Sequence, residues 1–163
     1  MYLTKLEKGA FDSTLFLFKF EKILILNNSE ILDEVNKMSF NTLMETLKIE
    51  FTEIGDNYVV CKMPVTPEVH QPAGILHGGA TAALVETAGS FASRCFIKDR
   101  EMSIRGIEIS TNHVKSISEG FVYAKATNIH MGRTMQIWEV RVLDEQNNLI
   151  SLGKLTTLAI KKK

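Results

Sequence analysis

The sequence predicts an α+β fold in which one long helix packs across an antiparallel sheet. Three observations predict it. Gly78 to Phe96 is the longest helical stretch, and it is dense in small residues: Ala80, Ala82, Ala83, Ala88, Gly89 and Ala92. So little side-chain bulk lets other backbones approach, which places this helix in the interior. Four strand-like segments follow it: Ile104 to Ser116, Gly120 to Ile129, Thr134 to Asp144 and Leu149 to Ile160. The turn clusters Glu119-Gly120, Met131-Gly132 and Gln146-Asn147-Asn148 separate them, and short connections between strands imply antiparallel pairing. In the third strand Gln136, Trp138, Val140 and Val142 share one face.

Along the chain, Phe16, Phe18, Phe20, Ile23 and Ile25 suggest a strand by their period of two. No hairpin partner lies nearby. The segment reads as an edge strand, an arm, or sequence upstream of the true start, with Met38 an in-frame alternative. Residues 1–29 are therefore set apart as an extension without an assigned role, and 30–163 as the domain. Asn28 or Ser29 caps a helix, with Glu30, Asp33 and Glu34 near its positive end. Ile31, Leu32, Val35 and Met38 recur at helical spacing, and Leu43, Met44 and Leu47 form a second short turn. Ile49 to Ile54 and Tyr58 to Met63 read as strands joined at Gly55-Asp56-Asn57. Thr66 to Gly79 is a loop rich in Pro, His and Gly.

Composition narrows the function. The 163 residues are 45% hydrophobic and 23% charged, ordinary for a globular domain. Nineteen basic residues balance nineteen acidic ones, so no overall field steers the chain to nucleic acid or anionic membrane. Lys161 to Lys163 read as a solvated end. Cys61 and Cys95 make neither a disulfide framework nor a zinc motif and read as buried thiols in a reducing compartment. Leu15 to Leu26 is too short to span a membrane, is broken by Lys19, Glu21 and Lys22, and lacks the pattern of a secretory signal. The expectation is a cytoplasmic protein. No HExxH, EF-hand, CxxC or GxSxG pattern occurs, so no metal, no cofactor and no serine triad is expected.

The chemistry-bearing segment is His70-Gln71-Pro72-Ala73-Gly74-Ile75-Leu76-His77-Gly78-Gly79, running into Ala80 to Ser90. Pro and Gly bring a loop to a helix start, where Gly78 and Gly79 leave backbone N–H groups unshielded. The first amides of a helix have no internal partner and sit at its positive end, a place to stabilise an oxyanion. The same glycines also serve a plain tight turn. Glu86 lies among Ala82, Ala83, Leu84, Val85, Ala88 and Gly89. It reads either as a poised base or nucleophile, or as a carboxylate paired with Arg94 or facing solvent. Ser90 is four residues on and shares the face of Glu86. Gln71 and His77 flank the glycine turn, as donors to a substrate or as turn stabilisers. Glu86 lies eight residues beyond Gly78, roughly 12 Å along the axis. One carbonyl cannot touch both groups of one chain. Two antiparallel helices related by a twofold axis bring each Glu86 to the partner's Gly78, which predicts a dimer with shared sites.

The segments HQPAGILHGGATAALVETAGS, RGIEISTNHVKSISEG and HMGRTMQIWEV resemble the hotdog-fold acyl-CoA thioesterases of the phenylacetate-pathway type. Within that group they look closest to the 1,4-dihydroxy-2-naphthoyl-CoA hydrolases of menaquinone biosynthesis. The resemblance covers about Leu32 to Ile160 and implies a hotdog fold, an antiparallel sheet wrapped around one central helix, in a dimer of dimers. It implies that Glu86 is the catalytic carboxylate, Gly78 the backbone donor to the thioester carbonyl, Gln71 the amide beside it, His77 the histidine of the turn and Ser90 the hydroxyl on the Glu86 face. It implies that His113 lines the acyl pocket and that Arg133 and Thr134 approach the nucleotide end of coenzyme A. A broad-specificity or medium-chain thioesterase and a non-catalytic acyl-CoA-binding domain are the rival expectations. A hotdog hydratase is disfavoured by the lack of its His-plus-carboxylate loop.

Overall fold

The computed structural model describes residues 27–99 and 101–161. The strand expected around Phe16 to Ile25, and the last two lysines of the tail, lie outside them. The elements are α1 (Asn28–Met38), α2 (Leu43–Thr46), β1 (Glu50–Ile54), β2 (Tyr58–Pro64), α3 (Gly78–Phe96), β3 (Met102–His113), β4 (Phe121–Met131), β5 (Met135–Asp144) and β6 (Leu149–Lys161). All six strands pair antiparallel in the order β1-β2-β4-β5-β6-β3.

The turns explain three of these pairings. Asp56 and Asn57 turn β1 into β2, and Gly132, whose N–H donates to the Met135 carbonyl at 2.9 Å, turns β4 into β5. Between β5 and β6 the Asp144 carboxylate accepts from the Gln146 and Asn148 amides, and Asn147 takes a left-handed conformation at φ 63°. Although a short connection joins them, β3 does not pair with its sequence neighbour β4. β3 pairs with β6 over its whole length, from Met102 opposite Lys161 to His113 opposite Ser151. The cause is α3. Nineteen helical residues span about 28 Å, so the helix carries the chain from β2 across the sheet to its far edge.

The N-cap of α1 is Asn27, one residue before the expected Asn28 or Ser29. Asn27 accepts from the Ser29 and Glu30 amides, and Glu30 reaches back to the Asn27 N–H at 2.9 Å, a complete capping box. Asn36 then does a strand's work. Its amide donates to the Phe51 carbonyl at 2.9 Å and accepts from the Phe51 N–H at 2.8 Å, covering part of the free edge of β1.

The core lies between α3 and the inner sheet face. Thr81, Leu84, Val85, Ala88, Gly89 and Ala92 are buried, one stripe at helical spacing. They face Val59, Cys61 and Met63 of β2, Val122, Ala124 and Ala126 of β4, Trp138, Val140 and Val142 of β5, and Leu155 of β6. The face predicted for Gln136, Trp138, Val140 and Val142 is fully buried. Of the two cysteines, Cys61 is buried, and desolvation pushes its thiol up out of the reactive range, while Cys95 is only half-buried. No helix among the described residues is long and apolar enough to cross a membrane.

Close approach of helix and sheet accounts for the small residues. A Cβ on Gly153 of β6 would come within 2.7 Å of Val85 Cγ1 and 3.0 Å of its Cγ2. Val85 is β-branched and held to one rotamer in a helix, so it yields poorly. Gly153→Ala is expected to destabilise the fold by about 1–3 kcal/mol, read as a lower urea midpoint at unchanged m-value.

Candidate active site

The loop before α3 is built to present a helix start. Gln71 donates its N–H to the Ile75 carbonyl at 2.9 Å and accepts from the Gly74 N–H at 2.9 Å, closing a tight turn in which Gly74 takes φ +73°. The turn is held by a bridge between His70 and Leu76, and by the His77 N–H donating to Val69 O at 2.9 Å. His77 is the N-cap of α3. Its Nδ1 accepts from the Gly79 N–H at 2.8 Å, which places the proton of the neutral ring on Nε2 and makes that atom a donor. The Gly78 N–H has no acceptor among the described residues. It stands at the positive end of a nineteen-residue helix.

A cleft of about 250 Å³ opens at this helix start, lined by Gln71, Gly78, Thr81, His113, Lys115 and Ile117 among others. His113 packs on Gly78 so closely that a Cβ there would meet its Nε2 at 2.7 Å. Its Nδ1 lies 2.8 Å from Ser151 Oγ, and that hydroxyl donates to the Asn112 carbonyl at 3.0 Å. Ser151 Oγ therefore accepts from His113 Nδ1–H, which leaves Nε2 as the acceptor of the neutral ring beside Gly78.

Glu86 lies on a different cavity. It is half-buried, two turns along α3, and Ser90 Oγ donates to its Oε1 at 2.8 Å. The Glu86–Arg94 pairing left open by the sequence is not formed; the Arg94 Nη1 reaches the Met102 carbonyl at 3.5 Å. The cavity holds about 650 Å³. Its walls are mainly apolar, with Val35, Met38, Met44, Phe51, Phe91 and Ile104 among them, and the α1–α2 link contributes Phe40 to Thr42.

Gly106 of β3 also shapes the Glu86 site, and sequence reasoning passed over it. A Cβ at Gly106 would overlap the Glu86 carboxylate. β3 bulges just after this glycine, between Gly106 and Glu108. The available signal was a lone glycine inside a strand pattern, which marks a bulge or a close approach.

The expected residues thus fall into three groups. Gly78, Gln71 and His113 share the small cleft, with His77 capping the helix beside it. Glu86 and Ser90 share the large cavity. Within the chain the two groups do not meet. His113, expected to line the acyl pocket, lies in the Gly78 cleft. Its register opposite Ser151 sets it there, on the face that meets the helix start. Arg133 and Thr134 form the β4–β5 turn and line neither cavity. Thr134 anchors that turn by accepting from the Ala159 N–H at 2.7 Å. Among the described residues no cluster of His, Cys, Asp and Glu is disposed to hold a metal.

Comparison with known proteins bears on this arrangement. The family model for the thioesterase superfamily matches residues 73–151, which include the helix start, Glu86 and β3. The proofreading thioesterase EntH of Cronobacter turicensis is 41% identical over 126 residues, covering 77% of this chain and 91% of that protein. The crystal structure of a thioesterase from Haemophilus influenzae superposes with a TM-score of 0.77 at 34% identity, covering 80% of this chain and 90% of that one. A thioesterase of Pseudomonas aeruginosa, solved as a mutant, gives 0.78 at 31% identity, with 80% and 94% covered. The chain belongs to the thioesterase superfamily: it is a thioester hydrolase with the hotdog fold.

Proposed function

We propose that the chain hydrolyses an aromatic acyl-CoA thioester, 1,4-dihydroxy-2-naphthoyl-CoA or one like it, to the free acid and coenzyme A. On this reading the site is shared across a dimer interface. The observation that carries it is Glu86, fixed by Ser90, at the wall of an apolar cavity large enough for a fused ring.

The partner supplies the other half. β3 is a twelve-residue strand with no neighbour on its outer edge among the described residues, and it exposes Ile107 and Ile109 at 55% and 40%. Such an edge is a template for a second copy. Antiparallel pairing of β3 with its twofold mate sets the two α3 helices side by side and brings each Glu86 towards the mate's Gly78 and Gln71. A further pairing of dimers gives the tetramer that the resemblance implies.

The chemistry then needs no metal. The Gly78 N–H of one chain, and the Gln71 amide beside it, donate to the thioester carbonyl oxygen and hold the negative charge that develops there. Glu86 of the other chain acts through Oε2, since Oε1 is engaged by Ser90. In one route the carboxylate adds to the carbonyl carbon, the C–S bond breaks, coenzyme A leaves as thiolate and water hydrolyses the resulting anhydride. In the other, the carboxylate takes a proton from water as the water adds, and the proton passes to the departing thiolate. Both routes yield one acid and one thiol. Arg133 and Thr134 meet the nucleotide end of coenzyme A, outside the reacting centre, and the reaction fits the menaquinone branch in the cytoplasm.

The test is thiol release from five thioesters: 1,4-dihydroxy-2-naphthoyl, 4-hydroxybenzoyl, benzoyl, phenylacetyl and hexanoyl-CoA. The expected result is a higher kcat/KM for the naphthoyl thioester or another aromatic one. Faster release from hexanoyl-CoA makes the chain a medium-chain thioesterase. Binding without release from any of them makes it an acyl-CoA-binding module.

A further inference from the structure

Two voids meet at the α1–α2 link. One is the Glu86 cavity of about 650 Å³. The other is a groove of about 580 Å³, lined by apolar Met44 and Ile49 and by charged Lys37, Glu45 and Lys48 among others. Among the described residues, only Phe40 and Met44 line both. These two side chains therefore form the partition between the cavity and the groove.

The two halves of the partition are anchored differently. Met44 is half-buried and packs against the hydrophobic core. Phe40 is 69% exposed and has no place in that core. The backbone beneath the Phe40 ring is held without it. The Asn41 N–H donates to Glu45 Oε2 at 2.6 Å, the Thr42 N–H donates to the Ser39 carbonyl at 3.2 Å, and Thr42 Oγ1 caps α2 by accepting from the Met44 N–H at 3.2 Å. Removing the ring thus opens the partition and leaves the link in place.

We infer that Phe40 is a specificity-determining residue: its ring closes the Glu86 cavity at the α1–α2 link and sets the largest acyl group the cavity accepts. The inference rests on the reading of the Glu86 cavity as the acyl site. An acyl group that ends inside the cavity meets the ring as a wall. A longer one clashes with it, and a clash built against the larger competitor discriminates as well as a contact made with the smaller one. The groove behind the ring suits the continuation of an alkyl chain. Met44 and Ile49 offer apolar surface, and the stems of Lys37 and Lys48 add to it while their charges stay in water. Each methylene that passes from water into such a groove is worth about fourfold in affinity, so two of them suffice for roughly tenfold.

The test compares hexanoyl-CoA with dodecanoyl-CoA, both below the concentration at which they form micelles, using wild type, Phe40→Ala and Leu43→Ala. Leu43 is the control, an exposed apolar neighbour on the same link that lines neither void. In wild type kcat/KM is expected to be lower for dodecanoyl-CoA than for hexanoyl-CoA. Phe40→Ala is expected to raise the dodecanoyl-to-hexanoyl ratio by about tenfold or more, a gain that damage to the fold does not produce. Leu43→Ala is expected to leave the ratio as it was. A wild type that prefers dodecanoyl-CoA overturns the inference, and so does a ratio that Phe40→Ala leaves unchanged or that Leu43→Ala raises equally. Absence of hydrolysis for these and for the aromatic thioesters overturns the acyl-CoA reading instead. The partition is then still tested by calorimetric titration with hexanoate and dodecanoate. Dodecanoate binding gained in Phe40→Ala supports the inference, and equal binding by variant and wild type overturns it.

Discussion

Glu86→Ala is expected to lower kcat for the preferred aromatic acyl-CoA by about 10³-fold, the scale of losing a positioned base or nucleophile. The fold should survive the change. Glu86 is half-buried, lines a cavity and forms its side-chain hydrogen bond with Ser90. Removing a carboxylate from such a place relieves desolvation and opens no hole in the packed core, which lies on the opposite stripe of α3. The melting temperature is therefore expected to stay the same or rise, as happens when a functional group held at a cost is removed. Coenzyme A binding should persist, because the proposed function puts its contacts at the β4–β5 turn, away from Glu86. Thiol release and thermal melting on the same preparation check both halves. Turnover within tenfold of wild type contradicts the role given to Glu86.

Gly106→Ala is expected to lower kcat by about 10²-fold through displacement alone, since an error of about 1 Å in a reacting group costs that much. The added methyl overlaps the Glu86 carboxylate. The carboxylate must give way, because Gly106 sits in a strand paired with β6 on both sides of the bulge. Moving it also breaks the Ser90 hydrogen bond that fixes Oε1. Gly106 does not adopt a positive φ, so alanine brings no backbone strain of its own. The variant should melt within a few degrees of wild type and retain its KM more nearly than its kcat. Unaltered kcat would mean that the carboxylate position is not critical.

These two residues show where sequence reasoning succeeds and where it stops. Glu86 and Ser90 were legible as a pair because a helix brings positions four apart onto one face, whatever surrounds it. The helix start at Gly78 was legible because Pro72, Gly74 and the His-Gly-Gly run are local signals. Element boundaries came within a few residues for the same reason: β1 to β6 follow local alternation and local turns. The contribution of Gly106 to the Glu86 site was not legible, since it depends on how β3 is laid against a helix twenty residues earlier. The pairing of β3 with β6 is of the same kind, a contact between Glu108 and Thr156 that no local pattern encodes. The cleft that receives His113 was not legible either, because its facing depends on that register. Arg94 was weighed only as a partner for Glu86. Eight residues of helix keep the two apart, and the cavity between them is formed by α1, α2 and β3 together.

The central claim is that each site takes Glu86 from one chain and Gln71 with Gly78 from the other. Glu86→Ala and Gln71→Ala chains, each inactive alone, are therefore to be co-expressed in equal amounts and assayed as a mixed population. Random pairing makes half of the dimers mixed, and each mixed dimer holds one site with both residues intact. The account predicts recovery of about a quarter of wild-type activity, whether or not dimers pair further into tetramers. Activity that stays at the level of the two parents would contradict a shared site.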